Sequence, residues 1–172
     1  MEARPEGVTP EALAALQEVY DSIPSLNCQG HCWQCCGAID MSPVERSHIA
    51  DLGVEIPVMT EEWSRAWEND EPAYCPAFSL GAQGMGKPGC TVYDRRPTIC
   101  RLWGVSESMP CPYGCKPEKT LTDREGFEIL FRAARAGNDP RLDARSERNM
   151  RMMLDTPEGA EAMAAFLRKG NT

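Results

Sequence analysis

Cys28-Gln29-Gly30-His31-Cys32-Trp33-Gln34-Cys35-Cys36 places four cysteines within nine residues, a C-x3-C-x2-C-C run. So short a loop can wrap its thiolates around one ion with little closure entropy, and such spacing marks zinc and iron–sulfur sites alike. Cys35 and Cys36 are adjacent, and neighbouring side chains diverge. They therefore serve different metals, or one ligates while the other packs. His31 is a further candidate because imidazole suits zinc, although an exposed loop histidine is the plainer reading.

Five more cysteines follow. One group is Cys75-Pro76-Ala77-Phe78, then Gly89-Cys90-Thr91-Val92-Tyr93-Asp94-Arg95-Arg96-Pro97-Thr98-Ile99-Cys100-Arg101-Leu102-Trp103. The other is Cys111-Pro112-Tyr113-Gly114-Cys115. The total of nine is odd, and a closed disulfide set would leave one thiol over. Disulfide frameworks also belong to short secreted chains, whereas this chain has 172 residues and opens without an apolar signal segment. The expected compartment is the reducing cytoplasm, where stable disulfides are rare. Metal ligation is the reading that accounts for most of the nine. Arg95, Arg96, Arg101 and Lys116 stand beside the cysteines, and such donors stabilise a site whose thiolates leave it net negative.

The formal net charge of −8 disfavours a nucleic-acid or anionic membrane partner, since phosphate binding needs a basic surface. No run approaches the roughly 18 apolar residues of a membrane span. The length suits a single domain, 1–172, with 42% hydrophobic residues for its core.

Residues 1–26 read as an N-terminal helix. Thr9 is the N-cap, Pro10 suits the first helical position, and Glu11 favours the positive end. Leu13, Leu16, Val19 and Tyr20 form its apolar stripe, and Pro24 stops it. Residues 27–120 hold every cysteine. Within them Ser42-Pro43-Val44-Glu45 is a capping box, followed by His48, Ile49 and Leu52, with Gly53 as the stop. A shorter helix is expected after Thr60, with Trp63 and Trp67 four apart. The glycine-rich 81–89 stretch lacks the Gly-Lys-Ser/Thr ending of a phosphate loop and reads as a flexible loop.

Residues 121–172 lack cysteine and read as helical. Thr122-Asp123-Arg124-Glu125 is a second capping box, with Phe127, Leu130, Phe131 and Ala134 expected inward and Gly137 as C-cap. Asp139-Pro140 opens a helix carrying Leu142, Met150, Met153 and Leu154. Thr156-Pro157-Glu158 opens another, with Met163, Phe166 and Leu167 inward. The whole is expected to be mostly α: short helices and irregular loops around a cysteine-rich metal site, with the C-terminal helices packed on it.

The order of these motifs resembles the YkgJ-like cysteine cluster family, known as a zinc- or iron-chelating domain. The resemblance covers roughly residues 28–120. It implies that Cys28, Cys32, Cys35, Cys36, Cys75, Cys90 and Cys100 belong to the metal region, with Cys111 and Cys115 joining them. It also implies that Tyr93, Arg96, Pro97 and Arg101 support the ligands. The cofactor expected is an iron–sulfur cluster, 4Fe-4S, with a second metal as an option; the alternative is zinc, stapling a non-catalytic interaction module or riding on a metal carrier.

The C-x3-C-x2-C core also resembles radical S-adenosylmethionine enzymes, but Trp33 sits one place too early. The chain is also too short for their barrel of roughly 200 residues or more. A similar cysteine cluster in flagellin lysine methylases keeps S-adenosylmethionine chemistry open on another fold. With only His31 and His48, no serine–histidine–aspartate set can be assembled. The sequence singles out neither a substrate nor a protein partner.

Overall fold

In the computed structural model, the residues described are 8–28, 39, 41–56, 75–79, 89–137, 139, 142, 148, 151–152, 155–159 and 161. They form a mostly α fold. Helices α1 (Pro10–Asp21) and α2 (Pro43–Ala50) come first, then a two-stranded antiparallel ladder, β1 (Phe78–Ser79) with β2 (Gly89–Cys90). A 3-10 turn at Tyr93–Arg95, helix α3 (Thr98–Leu102) and helix α4 (Asp123–Ala136) follow.

The helix starts follow their local chemistry. Thr9 is extended and its hydroxyl accepts the Ala12 N–H at 3.2 Å, while Pro10 occupies the first turn. Both capping boxes form, Ser42 with Glu45 and Thr122 with Glu125, each with reciprocal side-chain-to-backbone bonds. Helix α1 ends at Asp21, before Pro24, where the Ser22 N–H and hydroxyl both reach the Val19 carbonyl.

The buried face of α1 is Ala12, Leu16, Val19 and Tyr20, with Leu13 at its margin. On α4 the buried residues are Gly126, Ile129 and Ala133. The expected stripe is thus displaced by about one position: Phe127 and Leu130 lie at the margin, and Phe131 faces the guanidinium of Arg135, 5.1 Å from its ring centre. The arginine lets a large ring lie half-exposed, so smaller residues take the tight interface with α1 and α3. Leu52 lies beyond α2 and is exposed.

Two apolar clusters result. The first joins α1, α3 and α4 through residues such as Leu16, Leu102 and Ile129. At about 1.5–3 kcal/mol per buried aliphatic side chain, it carries much of the fold's stability. The second is smaller: Met41, Ile49, Ile56, Ala77 and Val92, with Cys75 and Cys90 packed against it.

Glu45 ties these parts together. It is 4% exposed. One carboxylate oxygen accepts the N–H and hydroxyl of Ser42; the other accepts the N–H and hydroxyl of Thr98 and the hydroxyl of Tyr20. A buried carboxylate requires such satisfaction, and here it fixes α2 against the start of α3.

Near the C-terminus, the contacts among the described residues run to α4: Asp155 pairs with Arg124, and Arg151 lies over Phe131. The Gly159 N–H reaches the Thr156 hydroxyl, as expected for the cap there. The expected helix after Thr60 and the 81–88 part of the glycine-rich stretch lie outside the described residues, as do Met150, Met153, Leu154, Met163, Phe166 and Leu167. Among the described residues, no helix is long and apolar enough to cross a membrane.

Candidate metal centre

Cys28, Cys75, Cys90, Cys100, Cys111 and Cys115 are all free of disulfides and half-buried. Cys32, Cys35, Cys36, His31 and Trp33 lie outside the described residues.

Cys75 and Cys111 are built alike. Each is followed by proline, whose fixed φ suits the second position of a β-turn. The Phe78 N–H closes the first turn on the Cys75 carbonyl at 2.8 Å, and the Gly114 N–H closes the second on the Cys111 carbonyl at 3.1 Å. Gly114 has φ +76, which a residue with a Cβ resists.

Each turn aims backbone N–H groups at its own cysteine sulfur. Burial pushes the Cys75 thiol up, and neighbouring Cys90 adds to this, while the N–H groups of Ala77 and Phe78 pull the other way. At Cys111 burial acts the same way but is outweighed. The N–H groups of Tyr113, Cys115 and Gly114, with the Cys115 thiol, hold it below the ordinary thiol range. Donors directed at sulfur favour the thiolate, the form that ligates metal.

Each turn also has a second cysteine beside it. The β ladder sets Phe78 opposite Cys90, bringing Cys90 to Cys75. Cys115 follows its turn directly, and its thiol hydrogen-bonds the Cys111 sulfur.

Cys28 is placed differently. An antiparallel bridge between Leu26 and Pro117 lays the chain before Cys28 along the chain after Cys115. The Cys28 N–H then turns back to the Leu26 carbonyl at 2.8 Å, and the sulfur meets the Tyr93 hydroxyl. Burial raises the Tyr93 pKa; Arg96 opposes that and Cys28 adds to it. The Arg96 guanidinium lies 3.6 Å from the Tyr93 ring centre.

The other arginines brace backbone. Arg101 donates to the carbonyls of Arg96 and Asp94 and lies 4.0 Å from the Tyr20 ring centre. Arg95 donates to the His48 carbonyl. Tyr93 and Arg96 thus stand at a cysteine, whereas Arg101 shapes the turn that carries them. His48 is half-buried and tilted against Tyr20 at 6.5 Å; burial first, then Arg95, lowers its pKa. Cys100 sits on α3, two residues beyond the Thr98 that Glu45 anchors.

Among the described residues, no three His, Cys, Asp or Glu side chains converge as a metal shell; Cys75 meets Cys90 and Cys111 meets Cys115. The residues nevertheless fit thiolate-bound metal. Two sulfur pairs come with built-in N–H donors, which stabilise bound thiolate. The Cys-Pro dipeptide, present at Cys75-Pro76 and again at Cys111-Pro112, is the sequence signal for the two turns.

A family model, CxxCxxCC, described as "Putative zinc- or iron-chelating domain", matches residues 27–116. No curated protein and no solved structure matches the chain.

Proposed function

Because the chain belongs to the CxxCxxCC family, a group of zinc- or iron-chelating domains, we propose that its cysteines hold an iron–sulfur cluster of the 4Fe-4S type. The observation that carries this reading is the pair of Cys-Pro turns, each directing backbone N–H groups at a sulfur that has a second cysteine beside it. Such donors stabilise bound thiolate and tune its basicity.

A cluster would supply one-electron transfer, or S-adenosylmethionine chemistry if one iron stayed open. The chain's own residues position and shield it. Cys75, Cys90, Cys111 and Cys115 present thiolates, Tyr93 donates to the Cys28 sulfur, and Glu45 holds the start of α3 so that Cys100 keeps its place.

Zinc is the second reading, and the same turns support it. A Cys-Pro turn that satisfies a single sulfur serves a mononuclear four-thiolate ion as well as it serves a cluster. Zinc would make the protein a stapled interaction module or a carrier.

Purification without air followed by visible spectroscopy separates the two. Brown protein, bleached by reductant and containing iron with acid-labile sulfide, supports the cluster. Colourless protein with stoichiometric zinc and no iron rejects it.

A further inference from the structure

We propose that Cys111 and Cys115 close a reversible disulfide with each other, by exchange with a small soluble disulfide, and that this oxidation takes both sulfurs away from metal. The consequence for metal rests on the metal-binding reading above; the disulfide itself needs only these two residues.

Residues 111–115 form one closed turn. The Gly114 N–H reaches the Cys111 carbonyl at 3.1 Å, and Gly114 takes φ +76. The chain thus reverses within four residues and returns Cys115 to Cys111. The Cys115 thiol hydrogen-bonds the Cys111 sulfur. Thiols in such contact are within the short reach that a disulfide requires.

Both flanks of the turn are pinned. Before it, the Gly104 N–H reaches the Met109 carbonyl at 2.7 Å, and a Cβ on Gly104 would stand 3.6 Å from the Cys111 Cβ. After it, Pro117 bridges Leu26, and the Glu118 N–H reaches the Ser25 carbonyl at 3.3 Å. Pinned ends hold each thiol at the other, and such proximity favours the internal disulfide over two mixed ones.

The turn is open to a soluble partner. Pro112, Tyr113 and Gly114 are exposed, Tyr113 to 48%, and the two cysteines are half-buried. Cys75, by contrast, packs on the second apolar cluster beside Ala77, which is 1% exposed. The N–H groups of Tyr113, Gly114 and Cys115 all point at the Cys111 sulfur, which makes Cys111 the attacking group.

The Cys111 thiolate attacks one sulfur of the soluble disulfide RSSR, forming a mixed disulfide and expelling RS⁻. Cys115 then gives its thiol proton to solvent and attacks the Cys111 sulfur, expelling the second RS⁻. The two cysteines lose two electrons, and RSSR gains them as it splits into two thiolates. A soluble thiol reverses both steps. Metal is ligated by thiolate, and the closed disulfide has none left to offer.

The test treats the anaerobically purified full chain with glutathione disulfide, then alkylates the remaining thiols and desalts the protein. Mass spectrometry of its peptides locates each linkage, and metal analysis reads the occupancy. The expected result is linkage of Cys111 to Cys115 ahead of any other pair, with metal lost in step. Dithiothreitol with fresh metal should restore both. Cys115→Ser should stall as a mixed disulfide between Cys111 and glutathione; where that variant fails to fold, the wild-type linkage decides.

Cys111 and Cys115 still alkylated as thiols after other cysteines have oxidised would overturn the proposal. So would their linkage with all metal retained. A chain that holds no metal at the outset rejects the metal-binding reading instead, and the linkage is scored in it all the same.

Discussion

Glu45 accepts from Thr98 twice, at 2.7 Å from the backbone nitrogen and 2.6 Å from the hydroxyl, across 53 residues of chain. The same carboxylate closes the Ser42 cap through its other oxygen. One side chain thus satisfies the starts of two helices. Glu45→Ala strands buried donors at Ser42 and Thr98, each worth about 1–3 kcal/mol when unsatisfied. The expected loss is at least ~3 kcal/mol in denaturant unfolding of the metal-loaded protein. Thr98→Val, which removes only the hydroxyl, should cost about 1 kcal/mol. Equal losses would refute the hub.

Gly137 caps α4, but its φ of −78 is ordinary; space is what it needs. A Cβ there would lie 2.2 Å from the Ser42 hydroxyl and 2.3 Å from the Ser42 Cβ. Gly137→Ala should therefore destabilise by about 1–3 kcal/mol, the usual cost of overpacking. The companion Gly137→Ala/Ser42→Gly variant, which opens the space, should recover part of that loss. A melting temperature unchanged in G137A would contradict the contact.

The Glu125 carboxyl is held down from its ordinary 4.5 to about 2, chiefly by Lys119 and then by the Thr122 N–H and hydroxyl. Its folded pKa is depressed. The stabilisation is therefore fully present above pH 4.5 and is lost as the pH falls towards 2. Glu125→Gln should flatten the stability–pH curve across that window. Salt should shrink the difference, because Lys119 and Glu125 are both exposed. Identical curves for variant and wild type would remove the assignment.

Tyr93→Phe deletes the hydroxyl that meets the Cys28 sulfur while keeping the ring under Arg96. Removing such a partner of a metal ligand typically costs 10–100-fold in affinity. Chelator competition should show at least a roughly tenfold weakening, with helical content unchanged. Wild-type affinity in Y93F would mean that the hydroxyl supports nothing at the centre.

The helix caps were legible because they are local. Thr9, Ser42 and Thr122 each meet an N–H three residues on, and sequence spacing alone fixes that meeting. The second function of Glu45 was not legible, since Thr98 reaches it only after the chain has folded back. The cysteine region shows the same divide. The C-x3-C-x2-C-C run and the order of later motifs identified the family. The pairing of Cys75 with Cys90, however, depends on a strand register, and that of Cys111 with Cys115 on a turn whose marker, Cys-Pro, occurs twice. The α4 stripe was misplaced by about one residue because an arginine beside Phe131 makes half-exposure tolerable, a contact that hydrophobic periodicity does not register.

Native mass spectrometry of the anaerobically purified chain tests the central claim most directly. Thiolate-held metal predicts a mass above that of the bare polypeptide by whole metal centres, with the excess vanishing on acid denaturation as the thiolates protonate. A folded chain at the bare polypeptide mass, unchanged when zinc or iron is supplied under reducing conditions, would contradict it.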